Sequence, residues 1–315
     1  MWKDERNGLY GDYMRGRHLG GNPTRGNLAA IIAHAAEQAT PSAEEEAAID
    51  VADEETKTPM PTTTIYLIRH GARHDYANPE LWKQTCSRLG HEPSDPPLSA
   101  LGHKQAREVA AALSNESIDA ILSSPYLRVI QTSQPLAHAL GLPILIDNGL
   151  AEFKHHPSRI PPPGTRVNVF PEVDDLYEPI LPTDQLVIDQ KSGQEPVVEY
   201  LRRLILMAKE LPKRYSGKSV ACYSHAASVG LVAALTGEKD LLAKDLTFAP
   251  CGIWKLTSED DGATWAIAQR GEENICSEND PSTFSWGFMH TRDPPALIMQ
   301  ADWERALAAG PTTEV

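Results

Sequence analysis

Cysteine is scarce and scattered in this chain. The 315 residues include four, Cys86, Cys222, Cys251 and Cys276. They form no CxxC pair and no disulfide framework, so they read as reduced thiols in a cytoplasmic or nuclear protein. None is followed six residues later by arginine, which excludes a cysteine-nucleophile phosphatase loop. Basic residues are outnumbered, 29 Lys and Arg against 43 Asp and Glu, for a net charge of −14. Direct nucleic-acid binding is therefore not expected, although a local basic pocket remains compatible with that total. No apolar run is long enough to span a bilayer, and the first residues lack the apolar core of a secretory signal, so no membrane association is expected. The GxxxxGK[ST] phosphate loop is missing, and Asp50-x-x-Asp53 is not the motif of aspartate-nucleophile phosphatases. His155, His156 and the other scattered histidines show no metal-ligand spacing, so neither a metal nor another cofactor is expected.

What is present divides into an arm and a domain. Residues 1–61 begin Gly-, Asn- and Arg-rich. They then carry Glu44, Glu45, Glu46, Asp50, Asp53, Glu54 and Glu55 in a stretch without a basic residue. This segment reads as a disordered acidic arm with at most one transient helix around Leu28–Ala36. Residues 62–300 alternate strand and helix patterns, and 301–315 read as a tail. Strands are expected over 64–68, 118–123, 143–147, 218–223, 252–257 and 265–269. Helices are expected from Ser99, a good N-cap, to Leu113, from Tyr126 to about Leu140 with a kink or an interrupted hydrogen bond at Pro135, from Glu195 to Leu211, and from Ala226 to Leu235. The third places Val197, Leu201, Leu204, Ile205 and Ala208 on one face. This alternation predicts an α/β/α sandwich of three layers around a mostly parallel sheet. Residues 153–194, with three consecutive prolines, fit neither element and read as a lid or a surface loop.

The most informative run is Thr64-Ile65-Tyr66-Leu67-Ile68-Arg69-His70-Gly71-Ala72-Arg73. A β-branched strand stops at a glycine turn and presents a histidine between two arginines. Two fixed guanidinium groups can hold a phosphoryl group, and a neutral imidazole beside them can attack it.

Three later blocks strengthen that reading: Asp95-Pro96-Pro97-Leu98-Ser99-x-x-Gly102-x-x-Gln105-Ala106, Ser123-Ser124-Pro125-x-Leu127-Arg128-x-x-Gln131-Thr132, and Ser224-His225-Ala226. In this order the four blocks resemble the histidine phosphatase superfamily, with its phosphoglycerate-mutase-like fold, over roughly residues 62–290. Arg-His-Gly-Ala-Arg-x-Asp, Asp-Pro-Pro-Leu-Ser and Phe284-Ser285-Trp286 look most like the Sts-type phosphatases and their fungal relatives.

The resemblance implies a metal-independent phosphomonoesterase acting on a small-molecule or protein ester. His70 would be the nucleophile, forming a phosphohistidine. Arg69, Arg73, Arg128 and His225 would bind the phosphate, whose transition-state charge sits on three equatorial oxygens. Glu152, just after the third strand, would be the general acid. Asp75 is a weaker candidate for that role, better suited to orienting an arginine. Ala226 stands where the family usually has glycine. The chain lacks the His-Asp pair of the acid phosphatase branch, and RHG is not followed by the Ser/Thr-x-Trp-Asn of cofactor-dependent mutases. An inactive scaffold of the same fold, such as a transcription factor subunit, is the alternative, and homodimer formation is left open.

Overall fold

The computed structural model describes residues 61–153, 169–238, 241, 248–279 and 300–310. Apart from Pro61, the expected arm lies outside the described residues. So do the three prolines of the irregular segment and Phe284-Ser285-Trp286.

Six strands form one sheet: β1 (Thr63–Arg69), β2 (Ala120–Ser123), β3 (Ile144–Ile146), β4 (Ser219–Ser224), β5 (Ile253–Ser258) and β6 (Ala266–Gln269). Their spatial order is β3-β2-β4-β1-β5-β6. The first four pair in parallel, and β5 and β6 add an antiparallel edge. Among the described residues, seven α-helices accompany it: α1 (His74–Ala77), α2 (Pro79–Thr85), α3 (Ala100–Leu113), α4 (Leu127–Leu140), α5 (Val197–Arg214), α6 (Val229–Thr236) and α7 (Gln300–Ala309).

Strand alternation builds two cores. Ile65, Leu67, Leu122, Val220 and Cys222 pack with α5, α6 and α7 on one face. Tyr66, Ile68, Ile121, Ala221 and Tyr223 pack with α3 and α4 on the other. Central strands covered on both faces read as continuous apolar runs, which is why β1 and β4 are conspicuous in the sequence. The α/β/α sandwich with a mostly parallel sheet is the fold observed.

Helix α4 spans the expected stretch and continues through Pro135, eight positions past its start. A proline lacks one donor but can be carried where the flanking turns are buried, as Ser133, Leu136 and Ala137 are here. Helix α5 continues through Pro212 to Arg214, three residues beyond the expected end. Within the segment expected as a tail, α7 is a helix with Trp303 and Ala306 buried in the α5–α6 core. The described half of the irregular segment is docked: Val173 bridges to Ile144, and Leu181 is buried.

Trp303 closes that core from outside, and its truncation should be felt. Trp303→Ala should lower domain stability by about 3 kcal/mol, a typical cost for a buried tryptophan. Chemical denaturation would measure it, and an unchanged midpoint would mean that α7 does not contribute to the domain's stability.

Candidate active site

Strand register brings the chemistry together. Arg69 pairs with Ser224 across β1 and β4, so His70 and His225 leave adjacent parallel strands side by side. The His70 N–H extends the ladder by one bond, to the Ser224 carbonyl at 3.0 Å. Ser123 of β2 pairs with Tyr223, which puts Ser124 beside them. Arg128 enters from the first turn of α4, and Glu152 from the loop after β3. All come to the carboxyl ends of parallel strands, where open α/β sheets form their crevices. The two imidazole centroids are 5.3 Å apart.

The turn that carries His70 is strapped by the other sequence motifs. Thr132 Oγ1 accepts from Gly71 N at 3.1 Å and donates to the Arg128 carbonyl at 2.7 Å. Gln105 Oε1 accepts from Ala72 N at 2.9 Å. Ser99 donates to the Ala72 carbonyl through both its backbone N–H and its hydroxyl, and that hydroxyl also caps α3 by accepting from Gly102 N. Gln131 Oε1 holds Leu98 N at 2.8 Å. Gly71 and Gly102 touch backbone to backbone. A Cβ on Gly102 would lie 2.2 Å from the Ala72 carbonyl oxygen, so no side chain fits there.

Hydrogen-bond chemistry fixes both histidine tautomers. His70 Nδ1 lies 2.8 Å from the Gly71 carbonyl. A carbonyl only accepts, so Nδ1 carries the proton and Nε2 keeps a lone pair. His225 Nδ1 lies 3.2 Å from Arg128 Nη2. A guanidinium only donates, so this Nδ1 is the acceptor, and Nε2 donates to Ser124 Oγ at 2.8 Å. Ser124, His225 and Glu152 thus superficially trace a serine triad. The tautomer is wrong for one, because Nε2 has no lone pair with which to activate Ser124.

The electrostatics are those of an anion site. Burial, then the charges of Arg128, Arg69 and Arg73, hold His70 well below the ordinary imidazole value of 6.5, against a smaller opposing effect of the Gly71 carbonyl. Burial, Arg128, His70, Arg73 and Arg203 do the same to His225. Arg73 is gripped by Asp75 through two bonds, 3.0 and 2.7 Å, and lies 4.2 Å over the Tyr76 ring. Asp75 therefore orients an arginine. Arg69 donates to the Phe248 carbonyl. Arg128 is the most loosely held, with Asp95 and Glu152 both at 3.9 Å. Asp95 also accepts from Leu127 N at 2.8 Å, capping the start of α4. Glu152 Oε2 lies 3.4 Å from His225 Nδ1, and its side chain keeps 18% exposure, enough to face a ligand.

One ligating atom each from His70, Glu152 and His225 falls within a 4.8 Å span, close enough geometrically to hold a metal ion. The three guanidinium charges acting on those histidines oppose a cation and favour an oxyanion.

Every site residue expected from the sequence lies around this crevice. Sequence reasoning missed Arg203 and Glu195, an ion pair beneath the Glu152 loop, and gave Ser124, Gln105 and Thr132 no individual roles. The one available signal for Arg203 was its spacing: it follows Tyr200 by three on a helix whose neighbours are apolar.

Fold and site together define an α/β/α protein with a histidine–arginine anion crevice at its strand ends. The chain belongs to the histidine phosphatase superfamily (branch 1), whose description matches residues 65–270. It is 32% identical over 105 residues to the transcription factor tau 55 kDa subunit of Saccharomyces cerevisiae, a match covering 32% of this chain and 23% of the yeast protein. The chain thus spans under a quarter of that relative's length. An uncharacterised protein of Mycobacterium tuberculosis is 30% identical over 199 residues, 62% of this chain and 89% of its own. The ecdysone phosphate phosphatase from Bombix mori, in complex with tungstate, shares the fold with a TM-score of 0.54 at 22% identity, covering 70% of this chain and 96% of its own.

The depressed histidines make stability depend on pH in a defined direction. Between their folded pKa values and 6.5, the unfolded chain binds more protons than the folded one. Stability is therefore full above about 6.5 and falls as the pH drops below it. Denaturation midpoints between pH 7 and 5 should show that decline, and His225→Asn should flatten it. An equal slope in the variant would mean that His225 is not held neutral.

Proposed function

We propose that this chain is a phosphomonoesterase that works through a phosphohistidine on His70, without a metal. The observation that carries the reading is Arg128: its Nε and Nη1 are buried with no hydrogen-bond partner among the described residues. Buried charged donors call for an acceptor, and a phosphoryl group supplies several at once. Membership of the superfamily supports the same reaction class, and no described helix is long and apolar enough to cross a membrane. The four unpaired thiols support a cytoplasmic or nuclear setting.

In this mechanism the phosphate sits among Arg69, Arg73, Arg128 and His225. His70 Nε2 attacks phosphorus in line with the ester oxygen, already neutral and already oriented by Gly71. The N–P bond forms as the O–P bond breaks, and Glu152 gives its proton to the departing oxygen. Water then attacks the phosphohistidine, passes a proton to Glu152 and releases phosphate. The substrate is a small-molecule or protein ester. A second reading, a binding fold without turnover, draws on the local match to the yeast transcription factor subunit. The complete set of site residues weighs against it.

The protein should hydrolyse nitrophenyl phosphate in EDTA, and His70→Ala should abolish turnover while leaving the denaturation midpoint close to wild type. Enzyme quenched during turnover should carry acid-labile, alkali-stable phosphate. Activity that vanishes on chelation and returns with a divalent ion would refute the metal-free mechanism. No turnover of any phosphate ester would favour the binding fold.

Glu152 is tested through the leaving group. An alkyl alcohol needs a proton as it departs, whereas nitrophenolate leaves as a stable anion. Glu152→Gln should lose on the order of 10²-fold more rate on glycerol phosphate than on nitrophenyl phosphate. Equal small losses on both would remove Glu152 from the mechanism.

A further inference from the structure

Glu152 sits on a loop with little regular structure of its own. A short 3-10 turn, Asn148–Leu150, precedes it. Ser224 of β4 donates to the Leu150 carbonyl at 2.6 Å, and the carbonyls of Gly149, Ala151 and Glu152 itself are held by one side chain of α5. Arg203, on the buried face of α5, is 1% exposed. Its Nη1 donates to the carbonyls of Gly149 at 3.1 Å and Ala151 at 2.9 Å, with Asn148 at 3.4 Å. Its Nη2 donates to the carbonyl of Glu152 itself at 3.0 Å. The remaining direction goes to the Glu195 carboxylate, at 2.6 Å from Nε and 3.0 Å from Nη2.

The grip has a second component. The Arg203 guanidinium lies 4.4 Å over the Tyr200 ring, and Tyr200 packs against Phe153, the residue after Glu152, with centroids 5.0 Å apart. Glu152 is thus held by its own carbonyl and by the ring that follows it. Only the planar five-donor fork of an arginine can reach several carbonyls and a carboxylate in one plane. A buried ion pair is poor value as a source of stability, since well-packed apolar residues do as well. What this pair supplies is direction.

We propose that Arg203, with Glu195 as its counter-ion, is a positioning residue that sets the aim of the Glu152 carboxyl toward the leaving oxygen. It touches neither substrate nor the reacting atoms. The inference rests on the reading of Glu152 as general acid given above. Loss of the clamp lets the loop shift, and misplacement by about 1 Å can cost on the order of 10²-fold in rate. That cost should fall only on substrates that need the proton.

The test compares kcat and KM on glycerol phosphate and on nitrophenyl phosphate. The variants are Arg203→Met, Arg203→Lys, Glu195→Gln, Glu152→Gln and the double variant Glu152→Gln/Arg203→Met. Arg203→Met should raise the ratio of nitrophenyl to glycerol turnover on the order of 10²-fold, with KM little changed. Arg203→Lys, which keeps the charge but loses the fork, should fall between. In the double variant the ratio should match that of Glu152→Gln alone, because the leaving-group dependence runs through that carboxyl, whereas loss of the Arg203 charge beside His225 falls on both substrates and cancels in the ratio. Should Arg203→Met not fold, Glu195→Gln decides by the same ratio. A folded variant that loses rate equally on both substrates, or a double variant whose ratio exceeds that of Glu152→Gln, overturns the positioning role. If Glu152→Gln shows no leaving-group dependence, the general-acid assignment fails first and takes this inference with it. If Glu152→Gln does show it and the clamp variants do not, only the clamp is refuted.

Discussion

Concentrated positive charge in a dry crevice is the constraint on which the rest of this structure depends. Arg73 and Arg128 act on both imidazoles, and Arg69 acts on that of His70. Buried guanidinium groups must be compensated or they destabilise the fold. The protein compensates them unequally. Asp75 satisfies Arg73 closely, and Arg69 is bonded to the Phe248 carbonyl. Arg128 has carboxylates only at 3.9 Å and two donors without hydrogen bonds among the described residues. The uncompensated part of the field therefore falls on the space between His70 and His225. Together with burial, the larger cause, it holds both rings neutral; it opposes a cation despite suitable ligand atoms and favours an oxyanion.

The same constraint explains why so many motif residues are uncharged. A turn held among three guanidinium groups cannot rely on further charge for its shape. Thr132, Gln105 and Ser99 instead satisfy the backbone of Gly71 and Ala72 with neutral hydrogen bonds, and Gly102 allows α3 to approach to contact distance. Letters that in sequence read as a family signature act here mainly on the main chain of the turn. The roles of His70 and His225 as neutral, oriented rings follow from that scaffolding together with the β1–β4 register.

Sequence alone went furthest where a single local signal settles the matter. The β1 run ends at His70, and the β4 run ends just before His225. In a parallel sheet that is nearly enough to place both at one edge. Ser99 as an N-cap marked α3 to the residue. Where tertiary packing outweighed local preference, the reading strayed. Pro212 is a helix breaker in isolation, yet the helix continues past it to Arg214, with Leu211 and Tyr215 buried beside it. Helix α7 has a weak pattern of its own and is held by Trp303 against a core assembled from distant segments. On α5, the expected apolar face centred on Val197, Leu201, Leu204, Ile205 and Ala208. The buried positions are Tyr200, Leu201, Arg203, Leu204, Met207, Leu211 and Pro212. The true face is turned by about one residue, and that turn is what brings an arginine inside. Periodicity counts apolar letters, so a buried arginine satisfied by carbonyls is invisible to it.

The site's two proposed working groups are therefore held by different physics. His70 is fixed by the sheet: its own N–H is part of the β1–β4 ladder, and its ring is pinned by the next carbonyl. Moving it means breaking register, which would turn side chains of a doubly covered strand to the wrong face. Glu152 is outside any ladder, and its loop is held by side chains: Arg203 of α5 on the carbonyls of Gly149, Ala151 and Glu152, and Ser224 on that of Leu150. On the proposed roles, a nucleophile fixed by strand register can stay the same while the acid is aimed by a separate fixture. Arg203 grips main chain, and the Glu152 carboxyl has contacts of its own: Oε1 accepts from Phe153 N at 3.1 Å, and Oε2 lies 3.4 Å from His225 Nδ1 and 3.9 Å from Arg128 Nη2. At 18% exposure it still borders the crevice. In the role proposed for it, a proton donor that later acts as an acceptor needs a fixed origin, and a clamp on the carbonyls would supply that origin.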